Sequence, residues 1–405
     1  MPSPALQSPG ALRGVRVLDL SSVVLGPLAA QMLGDMGADV IKVEAPEGDL
    51  ARSVGPARTP GMSSLFLSCN RNKRSLALNL KHPDAAEVLA RLIADSDVVL
   101  HSVRTSAAKR IGLTYEAAFA ANPRIVFCHV GGFSDRGPYA GLPAFDDIIQ
   151  AASGLAQLQS IYCGEPRYLP ALVADKTTAV FTAYAIVTAL FHRERTGVGQ
   201  AVEVPMFETM TAFNLTEHLW GHVFSPPIDQ MVYGSIRSGV RRPFRTQDGF
   251  IALVPYTNDH WLEFFRVVGR PHLATDPRFS TLAARTQNFK VVFGELGDCM
   301  QAKTTDEWIA LFRQADIPAM RINSLQDLTD DDHLNAVGFW QTRTHPTEGE
   351  LRMPGIPYEL SDTPGGIDRL PPALGMHTQE ILNEFGWDSD AVAALTKRGV
   401  VISAA

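Results

Sequence analysis

Val15-Arg16-Val17-Leu18-Asp19-Leu20, then Pro27 to Met36 closed by Gly37, then Asp39-Val40-Ile41-Lys42-Val43-Glu44: this stretch decides the fold. The two outer runs are short, rich in Val, Ile and Leu, and nearly continuous in apolar character, as strands covered on both faces are. The segment between them reads as a helix that stops at a glycine. Strand, helix, strand within 30 residues is a βαβ unit, and βαβ units build a parallel sheet.

The pattern continues outward. Ser75 to Leu80 reads as a strand, Asp84 to Ala94 as a helix, Asp97 to Leu100 as a strand, Tyr115 to Ala121 as a short helix and Arg124 to Val130 as a strand. Two helices are expected over Asp146–Gln159 and Asp175–Arg193, then a turn over Arg195–Gln200 and a strand over Ala201–Pro205. The expected class is therefore α/β. Ligands of such sheets bind beyond the carboxyl ends of the strands, so the loops after Leu20, Glu44, Leu100 and Val130 are the places to search.

The texture changes near residue 221. A loop and the Gly-, Ser- and Arg-rich segment Gly234–Arg245 lead into a strand over Phe250–Val254 and Trp-bearing helices. The division expected is a large domain beginning with residues 1–220, a smaller domain over 221–330, and residues 331–405 returning to the large domain. Within that return, the Pro- and Gly-rich stretch 345–376 reads as a long connection and Thr378–Phe385 as a docking helix.

Composition narrows the function. The chain has 405 residues, 45% hydrophobic and 20% charged, which excludes a mostly disordered chain or a coiled-coil rod. Its 36 Lys and Arg against 43 Asp and Glu give a net charge of -7, which argues against a nucleic-acid binder. No long apolar run suits a membrane span. Met1 to Gly10 lacks the pattern of a signal peptide and reads as a frayed tail. Cys69, Cys128, Cys163 and Cys299 match no zinc or redox spacing and read as buried thiols in a reducing cytoplasm. No phosphate-binding GxxxxGK[ST] and no GxGxxG after a strand is present, and no histidine pair has metal-ligand spacing.

Some residues stand out chemically. Asn70-Arg71-Asn72-Lys73-Arg74 carries three cations and reads either as a phosphate site or as a solvated basic turn. Arg104 and Arg110 follow the strand ending at Leu100, on the ligand side. Asp175 opens an amphipathic helix and reads either as an N-cap or as an oriented, ionised nucleophile. Asp146-Asp147 reads as a first-turn pair, because adjacent helical carboxylates diverge by about 100°. Gly234–Gly239 encloses Arg237 and reads as a mobile lid or an inter-domain loop.

Taken together, Leu18-Asp19-Leu20-Ser21 with Gly26-Pro27, Gly37 to Glu44, Gly48-Asp49, Asn72-Lys73-Arg74-Ser75, Arg110-Ile111-Gly112-Leu113, Gly131-Gly132-Phe133, Arg245 to Gly249 and Asp276-Pro277-Arg278-Phe279 resemble the class III CoA-transferases. That family includes formyl-CoA, carnitine and succinyl-CoA-dependent transferases and the related α-methylacyl-CoA racemases. The resemblance runs over nearly the whole chain.

It implies a Rossmann-like large domain with a smaller α+β domain, in an interlocked homodimer. It implies acyl-CoA and carboxylic acid substrates, with coenzyme A thioesters as substrates rather than a permanent cofactor, and no metal, nucleic-acid or membrane partner. It places the catalytic aspartate at Asp175. It places coenzyme A contacts at Val23, Val24, Leu25, Lys73, Arg74, Ser102, Val103, Arg104, Arg110 and Ile111. Gly131, Gly132, Gly234 and Gly239 become lid or oxyanion candidates, while Arg237, Arg241 and Arg242 read either as partners for a second carboxylate or as a surface basic loop.

The sequence departs from the family in two places. Val24 stands where formyl-CoA transferases carry a glutamine. Phe145 stands where the racemases carry a histidine base, and racemisation needs a proton acceptor on each face of the α-carbon. Transfer, with succinyl-CoA as a candidate donor, is therefore favoured over the alternative of a racemase or epimerase using a different second base.

Overall fold

The computed structural model describes residues 10–403; the tail expected to fray lies, up to residue 9, outside them. The chain forms two compact units. The first comprises the described residues up to Ser153, Tyr168–Ala212, and those from Asn335 onward; the second comprises Gly154–Arg167 and Phe213–Leu334.

The first unit is built on a seven-stranded sheet. Its strands in chain order are β1 (Arg16–Leu20), β2 (Asp39–Glu44), β3 (Lys73–Leu78), β4 (Val98–His101), β5 (Val126–Gly131) and β6 (Ala201–Pro205), with Val401–Ile402 last. Across the sheet the order is Val401–Ile402, β3, β2, β1, β4, β5, β6. All neighbours are parallel except Val401–Ile402, which runs antiparallel to β3. The chain leaves β1 to one side through β2 and returns to its other side through β4. That reversal is the switch point at which the loops after β1 and β4 diverge and open a crevice.

Side chains alternate between the two faces. Leu18, Leu20, Ile41, Val43, Leu76 and Leu78 join one core with the helices Ala85–Ala94, Thr378–Glu384 and Ser389–Lys397. Asp19, Lys42 and Lys73, each wholly buried, occupy the alternate positions of β1, β2 and β3.

Several expectations are corrected. The helix expected over Asp146–Gln159 is two helices, Asp146–Ala152 and Leu155–Cys163, because Gly154 turns the backbone left-handed at φ 83°. The strand expected from Ser75 begins at Lys73. The stretch read as a connection enters from a hairpin of Trp340–His345 with Gly349–Pro354. Cys69, Cys128 and Cys299 are buried as expected, but Cys163, the last residue of its helix, is exposed.

The second unit has a three-stranded antiparallel sheet of Phe244–Arg245, Phe250–Leu253 and Ala319–Arg321. Its core is aromatic: Trp261, Phe264, Phe265, Phe279, Trp308 and Phe312 pack together. Gly234–Gly239 is not an open loop, since Gly234–Arg237 forms one helical turn, followed by left-handed Gly239. No helix among the described residues is long and apolar enough to cross a membrane.

Candidate active site

A cavity of about 290 Å³ opens at the switch point. Its wall takes Ser22, Val23 and Leu25 from the end of β1, Ser102 and Arg104 from the end of β4, and His129 to Phe133 from β5 and its loop. Asp175 reaches it from the helix Val173–Thr196. Gly131 and Gly132 line it, and a Cβ on Gly132 would meet that of Ala144 at 2.3 Å, so only glycine lets the two loops close up here.

Asp175 is not the N-cap. Leu172 holds that position, and Asp175 lies in the first turn. Asp146 lies in the first turn of its own helix, as the sequence predicts, and it is buried. The Asp175 backbone N–H donates to Asp146 Oδ1 at 3.0 Å, and Gln150 Nε2 donates to Asp146 Oδ2 at 2.6 Å. Gln150 Nε2 also donates to the Ala171 carbonyl at 3.2 Å, and its Oε1 accepts from the Leu169 N–H at 2.9 Å. Asp146 and Gln150 thus clamp the segment that leads into Asp175. Burial, and then the neighbouring charge of Asp146, push the Asp175 carboxyl up to about 7.

The loop after β1 is held from below. Val23 takes φ 69°, a left-handed conformation that strains a β-branched residue. Its N–H donates to the Asp49 carboxylate at 3.0 Å, and Asp49 pairs with Lys42 Nζ at 2.9 Å. Lys42 also donates to the Ser21 carbonyl at 3.1 Å. Beside them Glu44 takes a bidentate fork from Arg52, at 2.7 Å on each oxygen. Sequence reading missed this cluster. Its signal was Lys42 itself, a cation inside an otherwise apolar buried strand, which requires a counter-ion.

The cations predicted to bind coenzyme A divide into two groups. Lys73 is wholly buried, pairs with Asp19 at 2.9 Å, and donates to the Pro27 carbonyl and Asn70 Oδ1. Arg74 is 3% exposed and forks onto Asp39, with Glu380 and Glu384 on its other nitrogen. Arg71 pairs with Asp35 at 2.7 Å. The segment Asn70–Arg74 is therefore not a solvated turn: its cations are paired with carboxylates, buried ones for Arg71 and Lys73 and partly exposed ones for Arg74. Arg104 and Arg110 are exposed and have no carboxylate within 4.0 Å among the described residues. Ser102 accepts the Ser22 N–H at 3.1 Å and joins the two cavity loops. Val24 is buried as the cap of the helix Leu25–Asp35, and Val103 and Ile111 pack against the core.

His129, Asp135 and Glu203 offer ligand atoms within 4.8 Å of one another, a grouping that sequence spacing conceals. Glu203 already accepts the Asp135 N–H at 2.8 Å and the Ser134 hydroxyl at 3.2 Å, which anchors the loop after β5. His129 lies level with His101 across β4 and β5, and their rings stack at 4.7 Å. Burial, and then the nearby His129, push His101 down to about 3, and burial lowers His129 as well.

In the second unit, Gly234 and Gly239 bracket the helical turn, and Arg237 pairs with Asp229 at 3.1 Å. Arg241 and Arg242 line a separate cavity.

Comparison with known proteins shows the family. Residues 12–378 match CoA-transferase family III. The succinyl-CoA:glutarate CoA-transferase of Mus musculus is 32% identical over 96% of this chain and 90% of its own. The succinyl-CoA–L-malate CoA-transferase beta subunit of Chloroflexus aurantiacus is 33% identical over 92% of this chain and 94% of its own. The crystal structure of Rv3272 from M. tuberculosis superimposes with a TM-score of 0.81 at 28% identity, covering 92% of this chain and 99% of that one. A crevice at the switch point, a half-buried aspartate at its wall and a match along almost the whole chain lead to one assignment: the chain belongs to CoA-transferase family III.

Proposed function

We propose that this enzyme moves coenzyme A from a short acyl-CoA, succinyl-CoA among the donors, to a second carboxylic acid, with Asp175 as the nucleophile. The observation that carries the reading is the placement of Asp175 at the cavity wall with its carboxyl raised to about 7. A carboxylate removed from water and set beside a second negative charge is a more basic nucleophile than a solvated one.

Asp175 attacks the donor thioester carbonyl. The C–S bond breaks, giving a mixed anhydride and coenzyme A thiolate. The thiolate attacks the Asp175 carbonyl and releases the donor acid, leaving an aspartyl-CoA thioester. The acceptor carboxylate then displaces the thiolate to form a second anhydride. The thiolate attacks the acceptor's carbonyl and frees Asp175. One thioester is consumed and one formed, so the exchange is nearly isoenergetic. The Gly131 and Gly132 backbones are the oxyanion candidates that line the cavity. Arg104 and Arg110, having no carboxylate to neutralise, take the phosphates in place of Lys73 and Arg74.

The relatives named as succinyl-CoA transferases support the donor class. Phe145 lines the cavity where a racemase would carry its second base, which disfavours racemisation. The deciding test is intact mass and peptide mapping after mixing the protein with succinyl-CoA without an acceptor. A coenzyme A adduct on the Asp175 peptide, released by hydroxylamine, is expected. Its absence despite saturable succinyl-CoA binding would sink the mechanism.

We infer also that the protein works as a homodimer. Val180, Tyr184, Val187 and Phe191 recur at helical spacing on Val173–Thr196 and are 42–68% exposed in the single chain. A stripe of that kind marks a surface that another chain covers. Light scattering should return twice the chain mass; a monomer at micromolar concentration would remove the inference.

The Asp146 pairing predicts a pH effect. The kcat/KM for the donor should rise with pH through an apparent value near 7 as Asp175 ionises. Asp146→Asn removes the neighbouring charge, so the rise should move to lower pH. It also loses one of the two accepted hydrogen bonds, worth about 1 kcal/mol. An unmoved profile in a folded variant would refute the coupling.

A further inference from the structure

The second unit holds a cavity of about 460 Å³, within the usual range for small-molecule sites. Aromatic rings dominate its wall, among them Tyr233, Phe244, Trp261 and Phe289. Arg285 also lines it and is only 4% exposed. One guanidinium nitrogen donates to the Phe279 carbonyl and another to Asn258 Oδ1, while Nε is buried with no hydrogen-bond partner. No carboxylate lies within 4.0 Å of this cation among the described residues; its guanidinium lies 5.5 Å from the centre of the Trp261 ring, and burial lowers its hold on the proton. Arg241 and Arg242, exposed at the same cavity, likewise have no acidic partner within that distance. A buried cation without a counter-ion is costly, and every other buried Lys or Arg among the described residues has one: Lys42, Arg52, Arg71, Lys73, Arg74 and Arg193 all do. Three arginines in the wall of a cavity rich in aromatic rings make the complement of a molecule with an apolar body and a negative head.

We propose that this cavity binds an organic acid, its apolar body among the aromatic rings and its carboxylate on the arginines, with Arg285 as the anchoring charge. The site stands apart from the reading of Asp175 and does not depend on it. Two other forms of Arg285 are weaker explanations. As a packing group, its fork would be better replaced by an apolar side chain; as a structural ion, it would have an acid beside it.

The test uses 4-phenylbutanoate and its uncharged counterpart 4-phenylbutan-1-ol, titrated into the full chain by calorimetry with tryptophan fluorescence as a second signal. The acid should bind saturably and at least about tenfold more tightly than the alcohol, as a charge-assisted contact requires. Arg285→Met should erase that preference, with the alcohol binding as well as the acid. Ala252→Phe, which fills the cavity from the strand Phe250–Leu253, should abolish binding of both in a protein whose circular dichroism is unchanged. The second variant decides the matter if the first fails to fold. No saturable binding, equal affinity for acid and alcohol, or acid binding undiminished by filling the cavity would overturn the proposal. The assay contains no thioester, so a negative outcome here leaves the aspartyl-CoA test standing, and a failed adduct test leaves this one standing.

Discussion

Asp175→Ala is expected to lower CoA transfer by at least about 10⁴-fold, the scale seen when a covalent nucleophile is removed. It should also make the folded protein more stable above neutral pH. In the unfolded chain this carboxyl ionises near its ordinary 3.8, but in the folded one only near 7. Between those values the unfolded state gives up its proton first, so the wild-type protein loses stability as pH rises through the window. The alanine variant has no proton to lose there. Its gain should be absent below pH 4, grow through the window and level off above pH 7. A shift of this size, discounted for partial exposure to solvent, is worth roughly 1–3 kcal/mol. Thermal unfolding from pH 4 to 8 beside a transfer assay checks both halves. Transfer near the wild-type rate would exclude Asp175 as nucleophile; lost transfer with no pH-dependent gain would mean that its environment does not hold it neutral.

Lys73→Ala should act on the fold rather than on substrate. The ammonium is buried, pairs with Asp19 and makes two further hydrogen bonds. Removing one member of a buried pair leaves the other charged and unsolvated, which costs about 3–5 kcal/mol. Asp19→Leu with Lys73→Met should recover most of that loss, because neither member of the pair is then left buried without the other. Urea unfolding at pH 7 measures both. The competing expectation, that Lys73 binds a phosphate, calls for unchanged stability and a raised KM for the donor. That outcome would return Lys73 to the site.

These two residues mark how far the sequence carries. The sheet was legible because β1 and β2 declare themselves through short, nearly continuous apolar runs, and their spacing admits one connection. Asp175 was legible as a residue worth testing, though its setting was not: the carboxylate that perturbs it comes from Asp146, 29 positions away and seated on a different helix. Lys73 and Arg74 were legible as cations but not in their pairing, for a physical reason. A cation beside a turn looks alike in sequence whether it meets a phosphate or a carboxylate, and Asp19, Asp39, Glu380 and Glu384 reach it only through the fold. Arg104 and Arg110 looked no different from Lys73 in sequence; only the structure shows that they lack such partners.

The left-handed Val23 limits how this enzyme's specificity can be changed. Its amide is tied to Asp49, Asp49 to Lys42, and Lys42 is part of the sheet interior, so the loop at the cavity mouth is wired to the framework rather than draped over it. Inserting or deleting a residue between Ser21 and Leu25 would break the hydrogen bonds of Val23 to Asp49 and of Lys42 to the Ser21 carbonyl. New substrates should therefore be reached by exchanging side chains on a backbone of fixed length, with glycine or asparagine the easiest replacements at position 23. The loop after β4, whose link to this one is the Ser22–Ser102 hydrogen bond, is the freer ground for variation in length.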